Sequence, residues 1–210
     1  MIPKTASLTR SLHSIALLLM AVALLGCGRT PEPPAVATVL PSPRDLPDFV
    51  LHGGHGSFAK AQLRGHPTLV FFGFTHCPEL CPTTLTTLAS AQRLLSDLPA
   101  SEQPQILFIS VDPKRDSPSE LAAYAAHFGE MVDAVSGDTA NLDRVTAAFG
   151  AYYTVPADAD PTQGYAVEHA AQVYLLDRDG RYIAVFSPPH AAAVIAADIR
   201  RIWTLSGARP

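Results

Sequence analysis

TLVFFGFTHCPELCPTTL, residues 68–85, is the stretch that decides the fold. Its first seven residues, 68–74, are almost continuously apolar and aromatic, which suits a β-strand covered on both faces. Strands of that kind belong to folds in which helices lie against a central sheet. Outward from it, the pattern predicts strands at 105–111 (QILFISV), 132–136, 172–177 (QVYLLD) and 182–186, the last two joined by the hairpin turn Arg178-Asp179-Gly180. Helices are marked by their caps. Ser117-Pro118-Ser119-Glu120 places an N-cap serine, a proline at the first helical position and a glutamate at the third, and Gly129 closes the helix over 121–128. Asp138 or Thr139 opens another helix that Gly150 stops, and 191–205 forms a last one with Ile195, Ile199 and Ile202 turned inward. The alternation predicts an α/β fold with a central sheet. No internal repeat is visible, and Gly53-Gly54-His55-Gly56 reads as a turn, not a phosphate cradle.

The chain has 210 residues, 48% of them hydrophobic and 16% charged, a globular composition that is sufficient for one domain. Its net charge of −4 includes Lys4 and Arg10, the only charged residues in the first 26, so the remainder carries −6. Without a basic surface it does not bind nucleic acid. Lys4 and Arg10, then 11 uninterrupted apolar residues over 15–25, then Gly26-Cys27-Gly28, make a secretory signal layout, too short for a membrane span. Leu24-Leu25-Gly26-Cys27 resembles the bacterial lipoprotein signal, which implies a lipidated Cys27, a membrane anchor and a periplasmic domain. Proline is in excess, and six of the 19 fall between Pro31 and Pro47. The expected organisation is therefore a signal over 1–26, a Pro-rich polyproline-type tether over 27–46 and a folded domain over 47–210.

Three cysteines, Cys27, Cys77 and Cys81, exclude a disulfide scaffold, and the four-residue spacing of the last two suggests a chemical site. Pro82 has no backbone N–H, so the helix after the strand is expected to begin there, with Cys81 at or beside its N-cap and Cys77 in the preceding loop. A thiol at a helix amino terminus gains thiolate character. Two such sulfurs on one loop can form a disulfide or grip a soft metal ion, Cu(I) first and Zn(II) second.

Imidazole is the usual completion of a thiolate pair, and seven histidines follow the signal: His52, His55, His66, His76, His127, His169 and His190. The residues alone leave that choice open. Position favours His169, just ahead of the strand at 172–177. The side chain of His76 is expected to point away from the loop, His52 and His55 flank an exposed turn, and the remaining three read as surface or helix-end residues.

FFGFTHCPELCPTTL at 71–85, ISVDPKRDSP at 109–118, Tyr124 with Phe128, and YAVEHAAQVYLLDRDG at 165–180 together resemble the Sco/SenC family of copper-handling proteins, in order and at family-like spacing. The resemblance implies a thioredoxin-like fold, a mixed sheet flanked by helices, in which Cys77, Cys81 and His169 bind one copper ion as Cu(I) or Cu(II). It also implies a role in assembling the dinuclear copper site of cytochrome c oxidase, with that oxidase's copper-receiving subunit or another copper chaperone as partner. Asp112 matches an acidic position near the family's site and is at most a neighbour of the ligands, since an Asp before Pro is equally good turn chemistry. Ala170 stands where the family commonly has a small hydroxyl residue. The alternative function is a thiol-disulfide oxidoreductase in which Cys77 attacks a partner disulfide and Cys81 resolves it. Against that reading stand the three intervening residues and Ala171, where thioredoxin-like reductases place a cis-proline.

Overall fold

A computed structural model describes residues 34–205. The signal at 1–26 and Cys27 lie outside the described residues. Ten strands and four α-helices follow in the order β1 (Ala37–Arg44), β2 (Val50–Gly53), β3 (Gly56–Ala59), β4 (Thr68–Gly73), α1 (Leu80–Leu94), β5 (Gln105–Ser110), α2 (Pro118–Ala126), β6 (Val132–Ser136), α3 (Thr139–Phe149), β7 (Tyr153–Thr154), β8 (Glu168–His169), β9 (Val173–Leu176), β10 (Tyr182–Phe186) and α4 (Ala192–Leu205). Eight strands form one mixed sheet in the order β1-β10-β9-β4-β5-β6-β2-β3, and β7 pairs with β8 apart from it. β4, β5 and β6 run parallel, while β9 lies antiparallel along the other side of β4. This is the thioredoxin-like arrangement, with helices on both faces of a mixed sheet.

β4 is central, and all six of its residues are buried because both faces are covered. Leu69 and Phe71 pack with Leu85 and Leu88 of α1, Leu121 of α2 and Ile195 and Ile199 of α4 on one face. Val70 and Phe72 pack with Leu142, Val145 and Phe149 of α3 and with Tyr174 and Tyr182 on the other. Burying each of these large side chains contributes roughly 1.5–3 kcal/mol. The caps stand where the sequence signals them: Ser117 and Glu120 form a capping box, Asp138 caps α3, and Gly150 ends α3 with φ at 68°.

The amino-terminal boundary requires a correction. The domain does not wait until residue 47, because part of the expected tether, 37–44, is edge strand β1, antiparallel to β10. Pro41 and Pro43 are tolerated because only one edge of this strand is paired and its register breaks between Val39 and Arg44. Its fastening is polar: the fully buried carboxylate of Asp198 accepts from the backbone N–H groups of Ala35, Val36 and Ala37 at 2.7, 2.8 and 2.9 Å. A strand held this way needs no run of apolar residues, so its sequence reads as linker.

Candidate metal centre

The parallel strands β4 and β5 end side by side, and the loops beyond their carboxyl ends carry the chemistry, as is usual in sheets of this kind. The cysteine loop follows Gly73. A Cβ on Gly73 would lie 2.6 Å from Cys81 Sγ and 2.7 Å from Phe108 Cε2, so a larger residue would push the sulfur out of place. Beyond it, the loop is fastened from below by Asp116, whose carboxylate accepts the Thr75 backbone N–H at 2.9 Å, the Thr75 hydroxyl at 2.6 Å and the Ser110 hydroxyl.

The helix start differs from expectation. α1 begins at Leu80 with Glu79 as N-cap, and its first helical bond runs from the Thr83 N–H to the Glu79 carbonyl at 3.1 Å. Pro82 is therefore third in the helix, where a backbone N–H has no intrahelical acceptor and its loss costs little. Cys81 lies inside the first turn, and its N–H donates to Cys77 Sγ at 3.3 Å. It is thus the Cys77 sulfur that meets the helix amino terminus. Cys81 is fully buried, and burial pushes its thiol well above the ordinary value of 9.0, opposite to the lowering expected for a cap position.

His169 sits on β8, opposite Tyr153 of β7. Its Nδ1 lies 3.0 Å from the Ala170 carbonyl, which can only accept, so Nδ1 carries the proton and Nε2 presents a lone pair. Nε2 points to Cys81 Sγ at 3.5 Å. Phe71 and Phe74 hold the ring edge-on, each with centroids 5.9 Å away. Burial lowers the imidazole below its ordinary 6.5, with the Ala170 carbonyl opposing, and keeps it neutral. The donor atoms of Cys77, Cys81 and His169 all lie within 4.8 Å of one another. Cys77 and His169 line a surface opening beside Leu80, Tyr152 and Glu168, with Cys81 buried behind them.

The other described histidines point elsewhere. His76 faces Asp116 at 3.5 Å, His52 meets Ser57, His55 lies near Asp133, and His66, His127 and His190 bond carbonyls of Ala100, Ala123 and Ala171. Asp112 is fully buried and is not one of the three donors; its carboxylate is taken by Arg115 and by the Tyr165 hydroxyl at 2.6 Å. Of DPKRD only the first acid is marked in the sequence; Arg115 and Asp116 carry no local signal, because Tyr165 and Thr75, which they hold, lie far away in the chain.

The family model for SCO1/SenC matches residues 41–204. Among curated proteins, the bovine mitochondrial SCO2 homolog is 36% identical over 156 residues, covering 73% of this chain and 58% of the bovine protein, so the chain spans little more than half of that relative's length. Among solved structures, Bradyrhizobium japonicum ScoI with copper bound is 34% identical with a TM-score of 0.63, covering 74% of this chain and 97% of that one. Apo Sco1 from Thermus thermophilus is 33% identical with a TM-score of 0.68, covering 79% and 95%.

Proposed function

The chain belongs to the SCO1/SenC family, and from that premise we propose that it is a copper metallochaperone that holds one copper ion through Cys77, Cys81 and His169. The observation that carries the reading is the convergence of those three donor atoms within 4.8 Å, two of them, on Cys77 and His169, lining a surface opening. Two thiolates and an imidazole form a soft to borderline donor set that suits copper in either oxidation state, and the similar ScoI of B. japonicum has copper bound. The open side leaves room for an incoming thiolate, so copper leaves by ligand exchange and no bond-making catalysis is needed. The recipient in this reading is the dinuclear copper site of cytochrome c oxidase or a further copper carrier. Lipidation of Cys27 would place the domain in the periplasm at a membrane surface; intact mass of the membrane fraction tests it, and an unacylated Cys27 would remove that part.

Anaerobic copper titration of the reduced protein tests the site. One ion is expected to bind, and His169→Ala should weaken binding by about 100-fold or more, since disturbing even the outer shell of a metal site costs 10–100-fold. Unchanged affinity in that variant would eliminate the three-donor site. A thiol-disulfide role is favoured by a different observation: Cys77 is partly exposed while Cys81 is buried beside it, the order of an attacking and a resolving thiol. His169→Ala should leave that activity intact, so one variant separates the two readings.

A further inference from the structure

Between Thr154 and Glu168 the chain forms no regular element, and His169 hangs from a two-residue ladder, so what holds the imidazole against the sulfurs has to come from elsewhere. Arg115 is the group that reaches both sides. Its guanidinium carbon lies 3.6 Å from the centre of the Tyr165 ring, four residues before His169, and 5.5 Å from the Phe74 ring, three residues before Cys77. Phe74 in turn meets the His169 ring edge-on. Arg115 and Asp112 form a buried ion pair, and the Tyr165 hydroxyl donates to the other oxygen of the same carboxylate. The three residues close a ring of contacts that spans the end of β5 and the approach to β8.

Stability alone is a weak reason for such a group. Arg115 is only 8% exposed, and its Nη2 has no hydrogen-bond partner among the described residues. A buried donor left unpaired costs free energy that a well-packed apolar side chain would not. A planar cation, by contrast, can lie flat on one ring while its Nε holds a carboxylate, and lysine cannot reproduce that geometry.

We propose that Arg115 is a positioning residue, which, through its stack on Tyr165 and its pair with Asp112, keeps the segment before His169 docked on the cysteine loop and so sets how readily the imidazole joins or leaves the two sulfurs. The inference rests on the three-donor reading for its consequence in copper binding, and on the contacts alone for its consequence in the metal-free protein. Arg115 does not touch the donors; it acts through Tyr165 and Phe74.

The test uses hydrogen exchange of the full-length protein without metal, and then copper titration. Three variants are compared: Arg115→Lys, which keeps the charge and loses the flat face; Tyr165→Leu, which removes the ring; and Tyr165→Phe, which keeps the ring and loses only the bond to Asp112. Arg115→Lys and Tyr165→Leu should each speed exchange at the Ala170 amide, which donates to the Tyr152 carbonyl, by at least about tenfold, while amides of β4, β5 and α1 keep their protection. Tyr165→Phe should have a smaller effect of the same kind. In the copper titration, the first two variants should retain the Cu(II)-thiolate band but bind about tenfold more weakly. Uniformly faster exchange throughout the protein, or unchanged exchange at Ala170 in both variants, overturns the proposal. If His169→Ala, run in parallel, leaves copper affinity unchanged, the three-donor reading fails, and the metal-free exchange still judges Arg115 on its own.

Discussion

Residues 74–79 carry Cys77 between the end of the central strand and the first turn of α1, and the buried Asp116 carboxylate holds them from below through two bonds to Thr75. Residues 155–167 approach His169 from a two-residue strand and pack on the fold through Val155, Val167 and Tyr165, whose hydroxyl and ring face touch Asp112 and Arg115. Both regions depend on a buried aspartate from the same short loop after β5. The difference is in what the aspartate grips. Asp116 takes a backbone N–H, which fixes the chain itself, whereas Asp112 takes a side-chain hydroxyl, so the backbone before His169 is held by the packing of Tyr165 and Val167 and by the short β7–β8 ladder. On this basis the cysteine side is the more fixed part of the centre and the imidazole the more adjustable, a division that suits the proposed exchange of copper.

The largest expected effect comes from removing the fixed side's support. Asp116→Ala leaves the Thr75 N–H, the Thr75 hydroxyl and the Ser110 hydroxyl without their acceptor beneath the cysteine loop. At about 1–3 kcal/mol for each buried group left unpaired, less what water recovers, the loss should be about 3 kcal/mol in urea unfolding, and copper affinity should fall with it. A variant of unchanged stability would show that the cysteine loop is held by α1 alone, and the contrast with the histidine side would disappear.

A second measurement looks within the fixed region. Cys77 is partly exposed, while Cys81 is fully buried with its thiol pushed toward the protonated form by that burial. An alkylating reagent at mildly alkaline pH should modify Cys77 at least about tenfold faster, because the thiolate is the reactive form and access is required. Equal rates, read by peptide mass at short times, would mean that the first turn of α1 opens readily and that the loop is not rigid.

How much of this was legible in the sequence follows from the same physics. β4 was readable because a strand covered on both faces has to be apolar throughout, and α2 and α3 were readable because their caps are local chemistry: Ser117 with Glu120, Asp138, and Gly150. The cysteines and the histidine were legible as donor types, with the family resemblance choosing His169. The polar fastenings were not. Asp116, Arg115 and Asp198 act on residues 41, 50 and about 160 positions away in the chain, and no local pattern marks such a partner. The same blindness explains why α1 was expected at Pro82 instead of Leu80: the orphan N–H rule tolerates proline anywhere in the first turn, and only the Thr83 bond to Glu79 fixes which residue comes first.

Asp198 supplies the control for the comparison, since it fastens a segment by the same chemistry as Asp116 but outside the metal centre. Burial pushes its carboxyl up, yet the N–H groups of Ala35, Val36 and Ala37 and the Arg201 guanidinium outweigh that and hold it below the ordinary 3.8. A group with a depressed folded pKa contributes stability that is fully present above the unfolded value and is lost as pH falls through the folded one. The contribution should therefore be constant from neutral pH down to the unfolded value of 3.8 and disappear in the acid range beneath it. Asp198→Asn keeps one acceptor oxygen but loses the charge, and should cost about 1 kcal/mol at neutral pH. The variant's stability profile should be flatter than the parent's in that acid range, and amides of β1 and β10 should exchange faster. Copper affinity should not change. If it falls as expected for Asp116→Ala, then buried aspartates here act on the metal centre only through overall stability, and the distinction between a fixed and an adjustable side has no basis in how each is held.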